Sequence, residues 1–188
     1  MKNNHKGFTL IELAIVLAII AVLAAVLTPL VTSYIDEARN TRAASDMRAI
    51  AQAYRLHFRD TSKYPVFTDN STTTIIAEVI KSAGTDPTDG VGLWSIGTGA
   101  DIDTYLNTNQ LGLDTSGNFR GGRTAYRGPY LESVGSDPWG NAFLVTATSF
   151  GDANVGFVLS AGPNGTIDTT YAQTDPTASE DDILFRIE

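Results

Sequence analysis

The hydrophobic pattern divides the chain at one place. From Gly7 to Val31 the sequence reads G-FTLIELAIVLAIIAVLAAVLTPLV, 25 residues with a single charged side chain, Glu12. About 20 apolar residues are enough to cross a bilayer as a helix, so this run predicts a membrane-spanning segment. From Thr32 to about Asp60 the pattern becomes amphipathic. Met47, Ile50, Ala51, Tyr54 and Phe58 recur three and four residues apart, and Arg39, Arg42, Asp46, Arg48, Arg55 and Arg59 mostly fill the rest of the cylinder. No proline lies between Pro29 and Pro65, so the two halves read as one helix of about 50 residues, kinked or locally opened at Pro29. His57 sits beside the apolar stripe and reads as a partly buried structural residue. Tyr64-Pro65 ends the helix, because a residue before proline avoids the α region.

Later elements are shorter. Thr74–Ala83 predicts a second helix, with Ile75, Ile76, Val79 and Ile80 on one face and Gly84 to stop it. Thr85 to Gly135 has a loop-like texture, with a short helix expected at Asp101–Leu106. Asp137-Pro138-Trp139-Gly140-Asn141 is a turn carrying a large aromatic residue. Phe143–Ala147, Gly156–Leu159 and Ile183–Ile187 read as strands. The expected fold is α+β: a long N-terminal helix, transmembrane in its first half and amphipathic in its second, packed on a small head with a three-stranded antiparallel sheet.

Charge fixes orientation and removes several functions. Lys2 and Lys6 precede the apolar run and Asp36 and Glu37 follow it, so the start faces the cytoplasm and everything after about Ser33 faces outward. The formal charge is −8, or −10 without Lys2 and Lys6, which offers nucleic acid no basic stripe. Arg120, Arg123 and Arg127, with Tyr126 and Tyr130, make the one positive cluster of the head and read as a solvated loop. Cysteine is absent and histidine occurs twice. That excludes disulfides and thiolate chemistry, and argues against a multi-histidine zinc site or a histidine-based triad. Gly97-Thr98-Gly99 and Gly121-Gly122 lie outside any βαβ frame and read as turns.

Glu12 is the anomaly. A carboxylate inside a span costs about 2.5–3.5 kcal/mol on insertion scales and marks a functional position. An ordinary secretory signal has a shorter apolar core and a small-residue cleavage site behind it. The stretch Gly7-Phe8-Thr9-Leu10-Ile11-Glu12 instead resembles the class III signal of type IV pilins and pseudopilins. The resemblance implies that a prepilin peptidase cuts after Gly7 and that the new terminal Phe8 is N-methylated. It also implies that residues 8–31 are retained as the transmembrane and assembly helix, with residues 32–188 forming an extracytoplasmic head. Glu12, buried when helices pack into a filament, would then pair with the liberated amine of the neighbouring subunit's Phe8.

Two C-terminal turns carry the remaining chemistry. Ser160-Ala161-Gly162-Pro163-Asn164-Gly165 supplies backbone and amide oxygens, and Glu180-Asp181-Asp182 supplies adjacent carboxylates. Six to eight oxygens of these kinds bind calcium; on composition alone, a calcium loop and a solvated acidic run remain equal alternatives. Asp137–Asn141, Leu159–Gly165 and Glu180–Ile183 together resemble the C-terminal half of the major pseudopilin of type II secretion systems. In that family the corresponding loop binds calcium, and the ion replaces the pilin disulfide. By position, Asn164, Asp181 and Asp182 would give side-chain oxygens, with backbone carbonyls near Leu159 and Ser160 completing the shell. Asn164 stands where the family usually has Asp, which removes a charge, and the longer segment after it adds Asp168 and Asp175 as substitutes. The resemblance covers residues 5–65 and 136–188. It implies a homopolymer with other pseudopilins, an inner-membrane assembly platform, a single inner-membrane pass and a periplasmic filament that exports folded proteins. A true type IV pilin, serving adhesion, motility or DNA uptake, shares everything up to Pro65. No catalytic constellation supports an enzyme.

Overall fold

A single helix, α1, runs from Leu10 to Thr61, as the unbroken pattern between Pro29 and Pro65 requires. The computed structural model describes residues 7–61, 79–92, 94, 96, 100–107, 126–146, 156–170 and 177–187. Residues up to Arg39 make one compact unit and Asn40–Glu188 a second. In the first unit the large apolar side chains from Phe8 to Ile35 are exposed, as suits a helix whose solvent is another helix or a lipid tail. The helix stays continuous through Pro29. Side-chain hydroxyls collect carbonyls around it. Thr28 Oγ1 donates to the Ala24 carbonyl at 2.7 Å, Thr32 Oγ1 to that of Pro29 at 2.9 Å and Ser33 Oγ to that of Leu30 at 2.8 Å. Such local hydroxyl bonds make a proline tolerable inside an apolar helix.

In the second unit, α1 buries Ala43, Met47, Ile50, Ala51, Ala53 and Tyr54. These side chains form one core with Ile80, Ile102, Leu106, Val134, Phe143, Val145, Val158 and Ile187. Phe58, read as the last member of the stripe, is instead 40 % exposed. A period of 3.6 carries the buried face round to His57, which is 1 % exposed. The histidine ring meets Tyr130 edge-on at 5.5 Å and Tyr126 at 6.3 Å, and the Thr61 hydroxyl lies 3.2 Å from its Nδ1. The aromatic members of the basic cluster therefore pack on α1. Tyr130 also donates to Asp60 at 3.2 Å. Arg120 and Arg123 lie outside the described residues.

The three expected strands are present and antiparallel: β4 (Leu144–Thr146), β5 (Phe157–Ser160) and β7 (Ile183–Arg186). Two more extend the sheet, β1 (Val79–Lys81) beside β4 and β3 (Ala100–Asp101) parallel to β1, in the order β3-β1-β4-β5-β7. The helix expected over Thr74–Ala83 is thus corrected at its second half, because Val79–Lys81 is a strand; Thr74 to Glu78 lie outside the described residues. The reason is two-sided burial. Ile80 faces the α1 core, whereas Val79 faces a second core with Trp94, Ile96, Leu144, Phe157, Leu159, Ala161 and Ile167. Adjacent residues can point into opposite cores only in a strand, and β-branched Val and Ile suit that pleat.

The expected short helix appears as α2, Ile102–Asn107. The segment read as loop also contributes β2 (Thr88–Asp89), which pairs in parallel with β6 (Thr166–Ile167). Asp89 orders the turn after β2 by accepting the amides of Val91, Gly92 and Trp94 at 3.1, 2.7 and 2.6 Å. Trp94 Nε1 then donates to the Thr169 carbonyl at 2.8 Å, locking the second core.

Arg55 joins α1 to the end of β7. Its Nε donates to the Ile187 carbonyl and its Nη2 to that of Arg186 at 3.4 Å. Ile187 is fully buried, so the clamp holds a core residue in register. Arg55→Ala is expected to cost about 1–2 kcal/mol, less than the roughly 1.5–3 kcal/mol of a well-formed charged hydrogen bond because the arginine is exposed to water. Urea unfolding of the variant checks this; an unchanged midpoint would show the clamp to be ornamental.

Candidate functional site

Two places carry unusual chemistry. The first is the start of α1. Thr9 precedes the first helical turn and Glu12 lies three residues on, the spacing at which a side chain reaches back to a free amide. Glu12 Oε2 accepts the Thr9 backbone amide at 2.8 Å and the Thr9 hydroxyl at 2.8 Å. The Glu12 amide donates in return to Thr9 Oγ1 at 3.3 Å. In the single chain the carboxylate therefore has a partner of its own. Gly7 and Phe8 lie just outside the helix. Phe8 is 91 % exposed, and a Cβ placed on Gly7 would meet nothing within 4 Å. Nothing among the described residues demands glycine at that position.

The second place is the C-terminal loop, which carboxylates tie together. Asp137 is buried and sits at the centre. Its Oδ1 accepts the amides of Trp139 and Asn141 at 3.0 and 2.8 Å. Its Oδ2 accepts the Ser160 hydroxyl at 2.7 Å, and Ser160 Oγ accepts the Gly162 amide at 3.3 Å. Asp181 Oδ2 accepts the Asn164 amide at 2.9 Å. Gly162 is held against the same residue: its φ is +62°, and a Cβ there would lie 2.3 Å from the Asp181 carbonyl oxygen. Only glycine fits. Asp182 Oδ2 accepts the amides of Asp168 and Thr169 at 2.9 and 2.8 Å. Among the described residues its Oδ1 is buried with no hydrogen-bond partner, and burial pushes its carboxyl above the ordinary range despite the stabilising Thr169 and Asp168 contacts.

Residues 2–28 match the prokaryotic N-terminal methylation motif. That motif is typical of type IV pilin-like proteins, which are structural subunits and not enzymes. The methylation motif covers the charged start, the Gly7-Phe8 junction, Glu12 and most of the apolar run. The helix that the motif enters, Leu10–Thr61, is long and apolar enough to cross a membrane, which is compatible with anchoring. No curated protein matches the chain, and no solved structure does.

Of the residues expected to hold an ion, the structure brings Asn164 and Asp181 together and sets Asp182 on the amides that follow β6. Leu159 and Ser160 lie in β5, paired with Leu184 and Ile183, and the Ser160 hydroxyl is committed to Asp137. Among the described residues no three His, Asp or Glu side chains are grouped to share a metal. Asp175 lies outside them. Two contributors went unread in the sequence. Thr9-Leu10-Ile11-Glu12 spells a capping box, a signal that was legible. Asp137 looked like a turn residue, and nothing local announced its bond to Ser160, 23 positions away.

Proposed function

We propose that this chain is a filament subunit, the major pseudopilin of a type II secretion system, polymerising through its apolar N-terminal helix to drive folded proteins across the outer membrane. The methylation motif carries the reading. A prepilin peptidase that requires glycine would account for Gly7, which has no steric role among the described residues. Cleavage there frees the Phe8 amine, and Glu12 is four residues, or about 6 Å, further along the helix. In a side-by-side stack, that amine on one subunit meets the buried carboxylate of the next. Subunits wait in the inner membrane with heads in the periplasm. There an assembly platform extracts them, because lipid already solvates the apolar helix and packing alone gains little.

The C-terminal loop favours a pseudopilin over an adhesive pilin. It contains no cysteine and is closed by Asp137, Asp181 and Asp182. Calcium is the proposed structural cofactor. The donors are oxygens of the right kind, and the unpartnered Oδ1 of Asp182 is an acceptor that a cation would satisfy. Asn164, Asp181 and Asp182, with carbonyls of Leu159 and Ser160, would hold it, and its charge would neutralise the acidic turn.

Mass spectrometry of mature protein is expected to find N-methylated Phe8 at the terminus; an intact Met1 or a cut beyond Ala25 refutes the pilin-type reading. Melting of the detergent-solubilised chain is expected to rise with added calcium and fall with chelator, and an indifferent melting curve removes the ion. Deletion of the gene is expected to block export of secreted enzymes. Loss of surface motility with normal export would assign a true pilin instead.

A further inference from the structure

We propose that Asn164 is a site of spontaneous deamidation, through which the C-terminal loop gains a carboxylate after synthesis. Asn164-Gly165 is the one Asn-Gly pair in the sequence. Deamidation begins when the following backbone nitrogen attacks the side-chain amide, and a glycine there presents no side chain to block the approach. Three local features favour the reaction. Asn164 is exposed to water. Its Oδ1 accepts the Thr166 amide at 2.6 Å, which bends the side chain back over the Asn164–Gly165 linkage. That same N–H points at the oxygen on which negative charge develops, the arrangement that stabilises an oxyanion. No hydrogen bond engages the Gly165 N–H among the described residues, although its carbonyl accepts the Thr88 amide at 2.9 Å.

The chemistry balances with water alone. The Gly165 nitrogen loses its proton to solvent and forms a bond to Asn164 Cγ. The Cγ–Nδ2 bond breaks, Nδ2 takes up a proton, and ammonia leaves a five-membered succinimide. Water then adds to Cγ and the new N–Cγ bond opens, returning a proton to the Gly165 nitrogen and leaving aspartate at 164. Addition at the Asn164 backbone carbonyl carbon gives the isoaspartyl form instead. Ammonia goes out and water comes in.

Two comparable positions among the described residues are locked. Asp89 also precedes a glycine, but the Gly90 amide donates to the Ile167 carbonyl at 2.9 Å and the Asp89 carboxylate is held by three amides. After Asn141, the Ala142 amide donates to the Thr85 carbonyl at 2.8 Å. The fold leaves Asn164 open where it closes Asp89 and Asn141. Its product carboxylate adjoins Asp181, which already accepts the Asn164 amide. Resting on the calcium reading, the converted loop then binds the cation more tightly than the loop as translated.

The test is to incubate the detergent-solubilised full chain in mildly alkaline buffer and map its peptides by mass. The Asn164 peptide is expected to exchange NH2 for OH at least about tenfold faster than the Asn141 peptide, a floor below the roughly 10²- to 10³-fold that one donor at a preorganised oxyanion supplies. The Gly165→Ala variant is expected to slow that exchange, and Asn164→Gln to remove it. Conversion at Asn164 in urea but not in the folded chain overturns the proposal, since the turn would then protect the amide. Asn164→Asp, melted with and without calcium, separates the consequence from the modification. A larger calcium shift than in the parent supports the calcium reading and the tighter binding of the converted loop. If neither form responds to calcium while the mass change occurs, the modification stands and the calcium reading fails.

Discussion

Glu12→Ala is expected to leave the chain in the membrane and take it out of the fibre. Removing the carboxylate makes insertion easier by about 2.5–3.5 kcal/mol, so anchoring is not at risk. Assembly is another matter. In the single chain the carboxylate is satisfied by the Thr9 amide and hydroxyl; in the filament proposed above, stacking would bring it beside a neighbour's free Phe8 amine in a dry environment. Deleting one partner of a buried pair costs about 3–5 kcal/mol, which lowers association at that contact by about 10²- to 10³-fold or more. Glu12→Gln separates charge from capping, because its amide oxygen can still accept from Thr9 but cannot pair with an ammonium. Both variants should appear in membrane fractions and be missing from sheared filaments. Normal filaments from the glutamine variant would refute ionic pairing, leaving the carboxylate a helix cap alone.

The second large effect is on the head. Asp137→Ala removes the acceptor for two amides and the Ser160 hydroxyl at a buried site. Each charged hydrogen bond is worth about 1.5–3 kcal/mol and the orphaned donors add desolvation. Since the three bonds share one side chain and do not add, the expected loss is about 3–5 kcal/mol. Asp137→Asn keeps one oxygen acceptor, and the Ser160 hydroxyl can turn to accept from the new amide, so about 1 kcal/mol is expected there. Urea unfolding measures both. An alanine variant within about 0.5 kcal/mol of the parent, the range of an ordinary surface substitution, would show that the turn does not depend on this carboxylate.

How far the fold could be read from the residues depended on the range of the interactions that made it. The long helix was plain, because its period and its lack of proline are local facts. The three C-terminal strands were plain for the same reason. Val79 and Ile80 misled because a short apolar run fits helix and strand alike, and only the presence of a core on each side of the sheet decides. That second core was hidden: Trp94 and Ile96 stand isolated in Gly-, Thr- and Asp-rich text, and the bonds that bury Trp94 come from Asp89 nearby and Thr169 75 positions away. At the candidate sites, Gly7, Phe8 and Glu12 were readable because their chemistry is sequential. The loop's three carboxylates were found as a composition, but Asp137 emerged only once β5 had placed Ser160 beside it.

The clamp between Arg55 and β7 has a bearing on how the protein is made. Its partners are 132 positions apart, and Ile187, at the far end of that separation, fills the core that Met47 to Tyr54 open. The helix leaves the ribosome first and the strand that covers it comes after every other element. Contacts between such distant segments are slow to form. Until synthesis ends the oily stripe of α1 thus waits for its lid, and this interval, not the finished head, is when the chain is most open to aggregation and proteolysis.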